Sequence, residues 1–241
     1  MRRSLALLIV ASAALGAFHA HADESNGANV SRTYSVGNFQ KIEVAGPYDV
    51  EVRTGGAASV AGQGSQRLLE RTVVEVEGDK LVIHAERHRS WFSVGWGNHG
   101  KAHFTVTVPQ LSGATIAGSG DINVDRVTGQ NFEGTVAGSG GLDVAAVDVQ
   151  QLKFSIAGAG GVKAGSGKAR SAEYEIAGSG DVDASAIVAQ QIKVTIAGSG
   201  TVKAHSSGTA DVSIMGSGDV DVTGGAKCSI SKTGPGNVRC S

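Results

Sequence analysis

"AGSGD", Ala117 to Asp121, decides the fold because it is one of a series. Close copies begin at Ala137, Ala157, Ala177 and Ala197, and a variant "MGSGD" begins at Met215. The first glycines are Gly118, Gly138, Gly158, Gly178, Gly198, Gly216 and, in "TGPGN", Gly234: four steps of 20 residues, then two of 18. A fixed period of this length describes one coil of a solenoid in which each coil stacks on its neighbours.

The columns of the repeat support that geometry. Two residues before the glycine stand Ile116, Val136, Ile156, Ile176, Ile196 and Ile214. Four after it come Ile122, Leu142, Val162, Val182, Val202, Val220 and Val238. Six after it come Val124, Val144, Ala164, Ala184, Ala204, Val222 and Cys240. These are period-two inward positions of strands flanking a glycine corner. Two outward columns alternate in sign: Glu133, Lys153, Glu173, Lys193, Asp211, and Asp143, Lys163, Asp183, Lys203, Asp221. Parallel neighbours lie about 4.8 Å apart, so opposite charges attract and a one-coil slip sets like charges together. The alternation is expected to help fix register, with each exposed pair worth well under about 1 kcal/mol.

The repeats argue against chemistry at the corner itself. A nucleophilic serine needs a paired base, and no histidine recurs beside Ser119, Ser139, Ser179, Ser199 and Ser217. A phosphate cradle needs a third spaced glycine and a following helix. Stacked calcium sites need acidic ligands in adjacent coils, whereas Asp121, Asp181 and Asp219 alternate with Gly141, Gly161 and Thr201. The remaining role is structural: glycines that permit a tight corner, and aspartates that satisfy turn amides.

The stack is expected to begin well upstream. "VAGPYDVEV" (Val44–Val52) aligns with "IAGSGDINV" (Ile116–Val124), which places the start near Phe39. Between them, "VVEVEGDKLVIHA" (Val73–Ala85) reads as two strands around a turn, and "AHFTVTVP" (Ala102–Pro109) as another strand. "FQKIEVAGPYDVEVRTG", "LVIHA…TVTVPQL" and the serial "GSGDV" motifs resemble the putative auto-transporter adhesin, head GIN domain family. The resemblance covers about residues 36–238 and implies an exported bacterial protein with a β-helical domain; it brings no catalytic residues. The expected class is all-β: a right-handed parallel β-solenoid (β-helix) of about 20-residue coils with a less regular N-terminal part.

Bulk properties fit an exported chain. Arg2 and Arg3, the apolar run Leu5–Phe18 and "AHA" (Ala20–Ala22) form a signal-peptide pattern, with cleavage expected between Ala22 and Asp23. No later stretch is apolar enough to cross a membrane as a helix. Residues 23–35 read as a flexible lead-in, 36–241 as one solenoid domain, and 109–241 as its regular part. The 241 residues carry 36 glycines and a net charge of -1 with mixed signs, which argues against a nucleic-acid partner. The partner class left open is an envelope protein or a glycan, with no cofactor implied.

Two features break the pattern. "HAERHRSWFSVGWGNHGKAH" (His84–His103) holds four of the seven histidines and both tryptophans. If its flanking strands pair as a hairpin, His84, His88, His99 and His103 would converge as metal ligands. Trp91, Phe92 and Trp96 would instead stack on a sugar or a partner surface, or fold back to cover the solenoid's side or end. Cys228 and Cys240 occupy inward columns of the last coil, and an exported chain with two cysteines favours a disulfide. The expected function is a non-enzymatic envelope-binding, scaffold or adhesin-like module. The alternatives are a polysaccharide-acting β-helix enzyme and metal capture through residues 84–103.

Overall fold

At every corner of the repeat the backbone enters a region that favours glycine. The first corner glycines, Gly118, Gly138, Gly158, Gly178, Gly198, Gly216 and Gly234, have φ between +124° and +143°. The second corner glycine is required for a different reason. A Cβ on Gly140 would run into the carbonyl oxygen of Gly120, and one on Gly180 into that of Gly160. The N–H between the two glycines closes the contact: Ser139, Ser179, Ser199 and Ser217 each donate a 2.9 Å backbone bond to the carbonyl of the first glycine of the preceding corner.

The computed structural model describes residues 29–86 and 102–241. Its N-terminal half contains β1 (Asn29–Tyr34), β2 (Lys41–Ala45), β3 (Tyr48–Thr54), β4 (Ser59–Ser65), α1 (Gln66–Glu70), β5 (Thr72–Glu77), β6 (Lys80–Ala85) and β7 (Ala102–Val108). The regular half runs through β8 (Gly113–Gly118), β9 (Asp121–Gly138), β10 (Gly141–Gly158), β11 (Gly161–Ala164), β12 (Gly167–Gly178) and β13 (Asp181–Gly198). It ends with β14 (Thr201–Gly216), β15 (Asp219–Thr223), β16 (Lys227–Thr233) and β17 (Asn237–Cys240). The chain forms a β-solenoid of about six coils of roughly 20 residues.

Successive coils pair in parallel with the columns beside the corner in register, Ile116 beside Val136, Ile156 beside Ile176 and Ile176 beside Ile196; the shorter coil of β14 is absorbed by register shifts between Ala184 and Gln191. The upstream alignment holds residue for residue, with Val44 beside Ile116 and Val52 beside Val124. Within a coil the buried positions of β9 are Ile122 and Val124, then Val127, then Phe132, Gly134 and Val136. Two exposed residues in a row, at 125–126 and 130–131, shift the alternation and mark bends. With the glycine corner, each coil therefore has three straight runs around one apolar core.

That core changes residue size coil by coil. Phe132, Phe154 and Tyr174 are buried, and the Phe154 and Tyr174 rings stack at 6.0 Å. Small neighbours make room: a Cβ on Gly134 would lie 2.8 Å from Phe154, and Ala164, Ala169 and Ala172 share the coil of Tyr174. Burial pushes the Tyr174 phenol well above its ordinary pKa.

The two ends are closed differently. Chain order and spatial order part company in the N-terminal half. β2 lies between β6 and β8, and β3 between β7 and β9, so β6 and β7 lie outside the 41–54 coil. Antiparallel strands then cover that outer coil, β5 against β6 and β4 against β7. Leu69 of α1 is buried there. β1 adds to β4, so part of the expected flexible lead-in is a strand. Val30 and Tyr34 pack on the core, with the Tyr34 ring 6.1 Å from Phe104, which explains why this polar-looking segment is ordered.

At the C-terminal end the expected disulfide is present, Cys228–Cys240, with Cα atoms 6.6 Å apart. Cys228 stacks on Ala210 and Cys240 on Val222, so the bond ties two runs of the last coil across its interior. Lys232 takes the place of the isoleucine column beside Ile214, and its Nζ donates to the Gly236 carbonyl at 2.7 Å. An inward lysine on a terminal coil discourages further strand addition.

Two stability tests follow from this architecture. Gly180→Ala should destabilise the protein by at least about 2 kcal/mol through overpacking, while Ser179→Ala should stay within about 0.5 kcal/mol. Equal urea midpoints for the two variants would contradict the corner assignment. Removing the Cys228–Cys240 bond should cost about 3 kcal/mol on the chain-entropy account. An unchanged unfolding midpoint under reducing conditions would contradict its role as an end staple.

Candidate binding groove along the coil stack

The second bend of each coil, near residues 130–131, repeats a polar pair on the outer surface. Stacking carries Asn131 onto Gln151, then Ser171, Gln191 and Thr209. The column two residues on is Glu133, Lys153, Glu173, Lys193 and Asp211. Together they line an open groove of about 620 Å³ that crosses five coils. The two outward columns form its walls, and the inward column Phe132, Leu152, Ala172 and Ile192 runs beneath its floor.

The charged column is paired at its centre. Lys193 Nζ lies 2.7 Å from Glu173, and Lys153 Nζ lies 2.9 Å from Glu175 and 3.5 Å from Glu173. The Lys193 ammonium holds the Glu173 carboxyl below the usual range, against a smaller opposing effect of burial. The Lys153 ammonium is held up, chiefly by Glu175. A lowered carboxyl is the wrong direction for a general acid in glycoside cleavage. The second alternating column, Asp143 to Asp221, makes no direct ion pair among the described residues. There Asp183 is lowered mainly by its bond from the Ser185 hydroxyl at 2.6 Å.

The polar column behaves differently. The side-chain amides of Asn131, Gln151 and Gln191 make no hydrogen bond to any described residue, although they face the groove. Gln130, Gln150 and Gln190 stand exposed just before them. The sequence reading missed this ridge. Its signal is visible as "QN" at 130–131 and "QQ" at 150–151 and 190–191, in columns that are neither apolar nor charged.

The corner aspartates take the expected structural role. Asp121 accepts from the Gly141 N–H at 2.8 Å, Asp181 from Thr201 at 3.1 Å and Asp219 from Asn237 at 3.1 Å. Each carboxylate thus bonds the next coil, and alternation keeps aspartates from stacking on one another. The corner serine hydroxyls make no such bond; their backbone N–H groups do the work, which is why Ala159 fits the same column.

The described strands that flank the histidine-rich segment, β6 and β7, do not pair with each other. β6 is occupied by β5 and β2, and β7 by β3 and β4, so neither has an edge for the other. His84 instead meets Glu75 at 3.2 Å, and His103 approaches Glu51 at 3.9 Å. Among the described residues no group of three or more His, Cys, Asp or Glu side chains is placed to hold a metal ion. His88, His99, Trp91, Phe92 and Trp96, together with the signal-peptide segment, lie outside the described residues.

Known proteins share this architecture. The chain belongs to the family described as putative auto-transporter adhesin, head GIN domain, whose model matches residues 38–226. A putative adhesin from Bacteroides fragilis is similar in structure, with a TM-score of 0.76 and 21% identity over 89% of this chain and 97% of its own. A putative lipid binding protein from Parabacteroides distasonis has a TM-score of 0.69 and 22% identity over 90% of this chain and 98% of its own. A putative adhesin from Parabacteroides merdae has a TM-score of 0.70 and 16% identity over 90% and 97%. No curated protein matches the chain. Among the described residues no helix is long and apolar enough to cross a membrane.

The groove's central ion pair has a testable pH signature. Because the folded Glu173 pKa is lowered, its contribution to stability is present above the unfolded carboxyl pKa and is lost as pH falls through the folded one. With side chains 31% and 62% exposed, the Glu173–Lys193 pair is screened by solvent and its contribution is small. In an NMR titration Lys193→Met should move the Glu173 midpoint upward; an unmoved midpoint would contradict the pairing.

Proposed function

We propose that this head GIN family member is an exported, non-enzymatic recognition module of the cell envelope, adhesin-like in action, whose contact face is the coil stack. The observation that carries this reading is the repetition of one exposed polar column, Asn131, Gln151, Ser171, Gln191 and Thr209, in register across five coils. A rigid stack holds those groups at a fixed spacing before any ligand arrives, which reduces the ordering cost of binding. The family description and the adhesin-like relatives support the same direction. Export is supported by the signal-peptide pattern of residues 1–22 and by the disulfide, a bond that persists in oxidising compartments. The aromatic segment with Trp91, Phe92 and Trp96 is a second contact in this reading, subordinate to the stack.

Co-sedimentation of the purified protein with isolated bacterial envelopes tests the proposal. Saturable binding is expected, and it should survive Trp91→Ala combined with Trp96→Ala. Absence of saturable binding contradicts the function, and its loss in the tryptophan variant transfers the contact to residues 87–101.

A further inference from the structure

We infer that the groove recognises a neutral, extended polysaccharide chain lying along the stacking axis, with its hydroxyls on the carboxamide ridge. The inference rests on the recognition reading above and names the ligand class for that same groove.

Charge comes first. The groove's ammonium groups, Lys153 and Lys193, are already engaged by Glu173 and Glu175. Glu133 and Asp211 stand at its two ends without an ion pair among the described residues. An anionic polymer would therefore meet carboxylates at both ends and no free cation between them. A ligand without charge meets no such penalty.

Hydrogen-bonding capacity comes second. Asn131, Gln151 and Gln191 each present an amide with two N–H donors and a carbonyl acceptor, none of it used within the described protein. The Ser171 and Thr209 hydroxyls lie in the same column. Paired donors and acceptors suit vicinal hydroxyl groups, which also donate and accept. The amides form no ladder among themselves, so they are not consumed in holding the stack together. Along the middle of the groove the backbones of Gln151–Lys153, Ser171–Glu173 and Gln191–Lys193 are paired with a coil on both sides, so an added protein strand finds no free edge there.

Spacing comes third. Equivalent side chains recur at the inter-strand distance, and five coils span about 19 Å. The rise per residue of an extended β-linked hexose chain is close to that coil spacing. One sugar can then meet one coil, and the groove accommodates about four or five sugars. Phe132, the one aromatic residue of the lining, is buried with its ring against Phe154 in the core, so each sugar is held by hydrogen bonds and not by ring stacking. Binding is weak for a disaccharide and accumulates with length.

Isothermal titration of the full folded chain with cello-oligosaccharides of increasing length tests this, with polygalacturonate as the anionic comparison. Affinity should rise with each added sugar, level off at the groove length, change little with salt, and exceed that for polygalacturonate. Gln151→Ala combined with Gln191→Ala should weaken binding at least tenfold while leaving the thermal unfolding midpoint unchanged. No binding of any neutral oligomer, tighter binding of polygalacturonate, affinity independent of length, or undiminished binding by the double variant would each overturn the inference. Envelope binding that persists in the double variant, without neutral-oligomer binding, removes the glycan inference and leaves the recognition function standing. Oligomer binding without envelope binding does the reverse.

Discussion

The close approach of successive glycine corners is the constraint on which the structure depends. Each second glycine lies where any Cβ would strike the carbonyl of the coil beneath, as Gly140 does over Gly120 and Gly200 over Gly180. The first glycine supplies the positive φ that turns the chain into that position. Both requirements recur at one point in every regular coil, so the coils stack in one register. Every other column inherits its alignment from that point.

Several features then become consequences. Inward residues stack into one continuous core from Phe39 to Val222. Asp121, Asp181 and Asp219 each fall where their carboxylates accept a backbone N–H of the next coil, from Gly141, Thr201 and Asn237. Glu173 falls between Lys153 and Lys193, and Lys153 also reaches Glu175. Amides that serve no internal bond are held in line along a groove. The regular stack would leave apolar ends, and the two ends are managed with different chemistry: antiparallel strands and a short helix at one, a disulfide and an inward lysine at the other.

The regular half was legible in the sequence because its signal is columnar. Ile156 is identified as inward by Val136 and Ile176, not by its own neighbours, and the disulfide followed from two cysteines in inward columns. The matching of Val44–Val52 to Ile116–Val124 was legible for the same reason. The N-terminal half lacks that redundancy. Nothing local in Asn29–Tyr34 shows that β4, 30 residues on, will pair with it. The strands around His84 and His103 look like a hairpin by proximity, yet the edges of both are taken by partners remote in sequence. The carboxamide ridge was overlooked because glutamine at a bend is ordinary in one coil and informative only when it recurs.

Amide hydrogen exchange at the corners tests the central constraint most directly. If corner contact locks the stack, the N–H groups of Ser139, Ser179, Ser199 and Ser217 exchange as slowly as those of the flanking strands, opening only with the whole unit. Rapid exchange at these four amides, beside protected strands, would mean that the corners are ordinary turns and that register is set elsewhere.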